Sequence, residues 1–199
     1  RYSLGMEDKR IPDEDISASS SHFETVGPSY ARLRQDEGDG AWCPRNMVTD
    51  ESYEYLQVNM RTQRFVTIVA VQGRYDEGIG REFARRFRLE YSRDGKVWRR
   101  WKDRTGNELL EGNTDSMTPV LRDLDPPFIG NHIRFIPLSN DPGVPQTVCM
   151  RVEMYGCEWN DGLVSYSMPP GQSRGEVLVN DATYDGAKSA SLVYSGLGQ

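Results

Sequence analysis

The sequence is poor in the side chains from which catalytic sites are built. It holds only two histidines, His22 and His132, and no serine, threonine or cysteine sits in a recognisable nucleophile setting. Its three cysteines, Cys43, Cys149 and Cys157, form none of the close pairs that a zinc site or a redox motif requires. No apolar run approaches the roughly 18 residues that cross a bilayer, and Arg1 opens no signal peptide, so the chain as given reads as soluble and already trimmed. There is no Asn-x-Ser/Thr sequon, no internal repeat, and no stretch that sustains the period of an amphipathic helix.

What is present describes a folded protein. At 199 residues the chain can bury one sizeable core and begin a second, and 37% hydrophobic content with ten tyrosines and four tryptophans sets it apart from disordered sequences. The net charge of -6 is unevenly spread. Residues 61–104 carry 13 Arg/Lys against 6 Asp/Glu, a surplus of +7, while the flanking segments are acidic. Such a block suits a polyanion, but Arg88 and Glu90 alternate with Phe87, Leu89 and Tyr91, which reads as the solvated face of strands and not as a nucleic-acid surface. The odd cysteine count leaves one orphan. It fits a secreted domain with two bridges, one partner lying upstream of Arg1, or a cytosolic protein with three reduced thiols.

Period-2 alternation dominates. Leu56, Val58 and Met60 alternate with Gln57 and Asn59; Phe65 to Val71 is a nearly continuous β-branched run, as in a strand buried on both faces. Asp94-Gly95 marks a two-residue hairpin after Phe87–Ser92, with Val97 and Trp98 resuming the apolar side. Ile133 and Phe135 flank Arg134, and Met150, Val152 and Met154 alternate with Arg151 and Glu153. Short strands separated by Gly- and Pro-rich turns predict an all-β sandwich or barrel. Composition shifts after Cys157, so residues 1–157 read as one domain and 158–199 as a linker and the truncated opening of another, with short strands at 177–179 and 192–194. Gly78-Ile-Gly-Arg lacks the third glycine of a phosphate loop, and Asp13-Glu14-Asp15 lacks the spacing of an EF-hand.

Landmarks along the chain carry a resemblance. Gly38-Asp-Gly-Ala-Trp-Cys-Pro, Gln72-Gly-Arg, Tyr91-Ser-Arg-Asp-Gly-Lys-Val-Trp, Arg134-Phe-Ile-Pro, Cys149-Met-Arg-Val-Glu-Met-Tyr-Gly-Cys157 and Trp159-Asn-Asp-Gly-Leu-Val-Ser-Tyr resemble the discoidin domain receptors, collagen-binding receptor tyrosine kinases. The resemblance implies a discoidin (coagulation factor C-type) jelly-roll β-sandwich followed by the first strands of a discoidin-like one. It implies a Cys43–Cys149 bridge, a bridge from Cys157 to a cysteine before Arg1, and no catalysis in this chain. The full-length receptor would be a homodimeric, single-pass membrane protein with this part outside the cell.

The family's collagen contacts carry over residue by residue. Asp39 and Arg74 match an acid and a base paired across the binding trench, Glu82 matches a second acid, and Thr147 falls where the family has a small polar residue. Trp42 lies beside the bridge and is expected in the trench. His22 replaces a family tryptophan on the apolar wall, and Val26 replaces a threonine, so motif preference should differ from other members. Phe23 offers an aromatic substitute only where the backbone is irregular, because neighbouring extended residues face opposite ways. No cofactor is expected in the first domain; calcium belongs to the complete second domain, with Asn180 and Gln199 as ligands by resemblance. The expected partner is fibrillar collagen, a rod of carbonyls, hydroxyproline hydroxyls and sparse apolar side chains. Glycan or acidic-phospholipid binding is the alternative, and a ligand-free dimerising segment a third.

Overall fold

The computed structural model describes residues 2–159, 177–180 and 182–183. These form nine strands: β1 (Ile16–Ala18), β2 (Leu56–Gln72), β3 (Arg86–Ser92), β4 (Arg99–Arg100), β5 (Leu110–Glu111), β6 (Val120–Leu138), β7 (Arg151–Glu158), β8 (Val177–Val179) and β9 (Ala182–Thr183). Among the described residues helix is confined to 3-10 turns of three residues, so the all-β expectation is met.

Two long strands, β2 and β6, build both layers. The first part of β2 pairs with β1 on one side and with the end of β6 on the other (Val58↔Ile133), and that end of β6 pairs in turn with β3 (Ile133↔Tyr91). The second part of β2 pairs with β7 and with the start of β6 (Val69↔Met154 and Val69↔Arg122). The register breaks between Asn59 and Arg64, where Arg61 takes a positive φ of 65°, and again between Val66 and Ile68, opposite the stretch of β6 that holds Pro126 and Pro127. Neither proline can donate to the ladder, so the second break falls where pairing is already interrupted. At these bends the sheet folds over onto itself as a sandwich.

The core follows from the register. Leu56, Phe135 and Leu89 stand opposite one another across three strands, and so do Val58, Ile133 and Tyr91; all are buried. Val66, Val69, Val71, Val152 and Met154 close the core from the other layer, with Trp42 wedged among them. Same-face neighbours in adjacent strands stabilise each other by packing, and this alternation is what the sequence displayed.

Two expectations are corrected. The β3–β4 connection is not a two-residue hairpin: Tyr91 pairs with Arg99, and the intervening loop is organised by Asp94, whose Oδ1 accepts from the Lys96 and Val97 amides and from Ser92 Oγ. Val97 consequently points into solvent. The solvated-face reading also fails for Glu90, which is buried and accepts from Tyr53 Oη; Arg151 and Glu153, on the strand that carries Val152, are likewise buried, under loops. Glu153 accepts from the amides of Gly5, Met6, Glu7 and Met154, which ties the first loop to β7. Strand β8 lies where a strand was expected and finds its partner in β9, whereas residues 192–194 lie outside the described residues.

Candidate ligand-binding site at the disulfide-linked loops

Cys43 and Cys149 are bridged, joining loops 106 residues apart in sequence. The bridge packs with Val26 and Ala41 in a small buried cluster of its own. The Cys43 amide donates to the Val26 carbonyl and the His22 amide to the Cys43 carbonyl, so the segment 22–26 is fixed to the bridge.

Beside it lies a strip of charge centred on Arg74. Its Nε donates to Glu82 Oε2 at 2.7 Å, and its Nη1 donates to Asp76 Oδ2 at 2.6 Å and to the Asp39 carbonyl at 3.2 Å. The Arg74 side chain is only 18% exposed. The bond to Glu82 raises the pKa of the guanidinium further. Burial pushes the Glu82 carboxyl up, but the bonds from Arg74 and from the Arg81 amide outweigh it and hold the group below its ordinary value. The guanidinium therefore stays charged and oriented, with little freedom to lose when a ligand arrives.

The loop carrying these groups is held in an unusual conformation. Asp76, Glu77 and Gly78 all have positive φ (47°, 53° and 90°), and both Asp36 carboxylate oxygens accept from the first two amides at 3.1 Å. Gly40 is required at the crossing, since a Cβ there would sit 2.3 Å from the Asp76 nitrogen. Beneath it, buried Arg151 donates through Nε to the Gly73 carbonyl at 2.7 Å and through Nη1 to the Gln35 carbonyl at 3.0 Å.

Of the residues expected in the trench, Asp39, Arg74 and Glu82 are brought together. The pairing differs from expectation. Arg74 takes Glu82 and Asp76 as its carboxylate partners and touches Asp39 only through the main chain, while the Asp39 carboxylate accepts from Thr25 Oγ1 at 2.5 Å. Thr147 is exposed, two residues before the bridged Cys149. His22 is exposed, and its ring meets that of Phe23 edge-on at 4.3 Å. Phe23 is 63% exposed and, with extended backbone of its own, immediately precedes the 3-10 turn Glu24–Val26. Trp42 is withdrawn from the site: fully buried, it donates from Nε1 to the Ser20 carbonyl and pairs with Met150. Thr25, Asp36, Asp76 and Arg151 were not singled out from the sequence.

Asn180 is bonded within the chain. Its Oδ1 accepts from the Lys102 amide at 3.3 Å and from Tyr91 Oη at 3.5 Å, and its Nδ2 donates to the Lys102 and Pro126 carbonyls. These bonds tie Asn180 to the segment after β4 and to β6. Gln199 lies outside the described residues. Cys157 is exposed and unbridged among the described residues, next to the amino-terminal segment, where the Gly156 amide donates to the Tyr2 carbonyl at 2.9 Å.

A family model for the F5/8 type C domain matches residues 15–154. The chain belongs to that family. A second model, the DS-like domain of discoidin domain-containing receptors 1 and 2, matches residues 162–199, and relatives matched along the length of this chain include discoidin domain receptors. Epithelial discoidin domain-containing receptor 1 of Mus musculus is 49% identical over the full chain and discoidin domain-containing receptor A of Caenorhabditis elegans 42% identical over 98% of it. The chain spans 22% and 26% of those relatives. Coagulation factor VIII of Sus scrofa is 34% identical over 79% of the chain, which spans 7% of that protein. Among solved structures, discoidin II of Dictyostelium discoideum shares the fold, with a TM-score of 0.58 at 16% identity, covering 73% of this chain and 56% of that one. The F5/8 type C domain here is a non-catalytic module.

Proposed function

We propose that this discoidin domain is the extracellular collagen-binding module of a homodimeric membrane receptor, and that the Arg74 strip reads the triple helix of fibrillar collagen. The observation that supports this most is the combination of a rigid polar centre with exposed apolar residues beside it. Arg74 is clamped by Glu82 and Asp76 with its orientation fixed, and Phe23 stands in solvent on a segment anchored to the bridge. A triple helix offers carbonyls and hydroxyls at fixed spacing along a stiff rod, so a site that is already ordered matches it without a large ordering cost. The bridge from Cys157 to a cysteine preceding Arg1 belongs to the same reading, supported by the strand-like contact of residues 2 and 156. Calcium, on this reading, is bound only by the complete second domain, with Asn180 and Gln199 among its ligands.

The charge of the site weighs against acidic lipids and sulfated glycans. Around Arg74 and the Arg151 guanidinium beneath it stand the carboxylates of Asp36, Asp39, Asp76 and Glu82, so acids outnumber bases at the strip, which disfavours a polyanion. In the basic block elsewhere, Arg61, Arg64, Arg86, Arg100, Lys102 and Arg104 all have carboxylate partners. Neutral glycans are bound by structural neighbours such as a family 32 module of Clostridium perfringens NanJ in complex with galactose, but at 17% identity and a TM-score of 0.51 that likeness concerns the fold alone. Solid-phase binding to triple-helical peptide libraries tests the proposal. Binding that Arg74→Ala abolishes is expected; a folded protein that binds no triple-helical peptide refutes it, and binding to heparin or acidic liposomes that survives Arg74→Ala supports the alternative.

A further inference from the structure

Two exposed apolar side chains on the Glu82 side of the strip have no role in the site so far described. Ile79 is 68% exposed at the end of the loop that carries Arg74 and Asp76, and Met117 is 56% exposed on the turn before β6. Ser116 Oγ ties the two turns by donating to the Gly80 carbonyl at 2.9 Å, and Gln72 Nε2, at the end of β2, donates to the Met117 carbonyl at 2.5 Å. They also abut the charged strip. A Cβ at Gly73 would lie 2.7 Å from the Ser116 Cα, and one at Gly80 2.2 Å from the Arg74 carbonyl oxygen.

Both turns are rigid. The Ile79 turn includes the left-handed Asp76 and Glu77, a conformation costing on the order of 1–3 kcal/mol per residue. It is held there by Asp36 and by the amides of Gly78, Ile79 and Gly80, which donate back into the turn. In the other turn the Asp115 carboxylate accepts from the amides of Met117 and Thr118 and from Thr118 Oγ1. Neither folding nor solubility gains from a branched or long apolar side chain at such positions, whereas an exposed apolar group on a pinned backbone is well suited to a contact that forms on binding.

We infer that Ile79 and Met117 form an apolar wall of the binding site and take an apolar side chain of the triple helix, making them specificity-determining residues. This rests on the collagen reading above. Gly recurs at every third position of the triple helix and faces its axis, so the intervening side chains project outward, where a wall beside the polar strip can select among them. The occupant is a collagen side chain and not a second copy of this chain, because the wall is continuous with the Arg74 strip through Gly73 and Gly80 and so presents both chemistries to one ligand.

The test compares wild type, Ile79→Ser, Met117→Ser, the double variant, Arg74→Ala and Val97→Ser for binding to triple-helical peptides, with Tm recorded for each. Val97, 61% exposed in the loop after β3, controls for the loss of an exposed apolar group remote from the strip. Each single substitution in the wall is expected to weaken binding about tenfold and the double more, with Tm unchanged, while Val97→Ser binds as wild type. Replacing the apolar guest residue of the peptide by alanine should weaken wild type but not the double variant. Wild-type binding that is lost in Arg74→Ala but kept in the double variant overturns this inference and leaves the collagen reading standing. Wild-type protein that binds no triple-helical peptide overturns both. Concentration-dependent dimerisation of the wild type that disappears in the double variant would assign the wall to a second copy and overturn the inference as well.

Discussion

Replacing Arg151 by methionine should both destabilise the domain and loosen the Arg74 loop, although Arg151 touches no ligand. The guanidinium is buried and makes bonds of 2.7 and 3.0 Å to the carbonyls of Gly73 and Gln35. Bonds from a charged group contribute roughly 1.5–3 kcal/mol each, and methionine leaves both carbonyls unsatisfied. Removing the charge also relieves its desolvation, which burial registers by lowering the Arg151 pKa, so the net loss is smaller than the sum, about 2–4 kcal/mol. For a domain of this size that is a fall in Tm of roughly 5–15 °C. Urea denaturation followed by tryptophan fluorescence measures the first effect. Hydrogen exchange at the amides of Asp76 and Glu77 measures the second, because Asp36, next to Gln35, caps both. Arg151→Lys should not rescue, since a single ammonium cannot span two carbonyls as a guanidinium fork does. A loss below about 0.5 kcal/mol, or unchanged protection at residues 76 and 77, would refute the idea that Arg151 props the site from beneath.

Asp39→Asn should weaken triple-helical peptide binding only a few-fold, against complete loss in Arg74→Ala, because Arg74 uses the Asp39 main chain; equal losses would restore a direct carboxylate pairing. Replacing Cys43 and Cys149 together by alanine should cost roughly 2–4 kcal/mol in denaturant unfolding, given the 106-residue separation, and a loss under about 1 kcal/mol would mean that the loops are held by hydrogen bonds alone. Burial holds the His132 pKa below its ordinary 6.5, partly offset by Asp94 and Asp15, so the unfolded chain takes up the proton first. Its stabilising contribution is complete above pH 6.5 and is lost as pH falls below it; His132→Gln should flatten stability against pH in that window, and an unchanged slope would count against it.

The parts of this structure that sequence could and could not show divide along a physical line. Leu56, Val58 and Met60 advertised their inward face because period-2 alternation is local, and the bridge loops were marked by their resemblance. Trp42 was misplaced although the same alternation would have placed it: Ala41 and Cys43 share the bridge cluster, so the residue between them faces the opposite way, into the main core. Arg151 and Glu153 were beyond reach. Alternation puts them on the face opposite Val152, but only the fold reveals that loops around residues 5–7, 35 and 73 cover that face. The Asp36 cap is equally non-local, contributed from 40 residues before the loop it restrains.

The corrected partners of Arg74 also change what the site can recognise. Had Arg74 been neutralised by Asp39 alone, the strip would present a balanced pair. With Glu82 and Asp76 holding the guanidinium and Thr25 holding Asp39, the carboxylates outnumber the cation and retain acceptor capacity toward solvent. A ligand must supply donors to meet it. Hydroxyproline hydroxyls and the occasional basic side chain of a collagen triple helix do so, whereas a phosphate or sulfate brings only acceptors and added negative charge. On the proposed collagen reading, the two ion pairs of Arg74 would therefore favour a fibrous protein over an anionic surface.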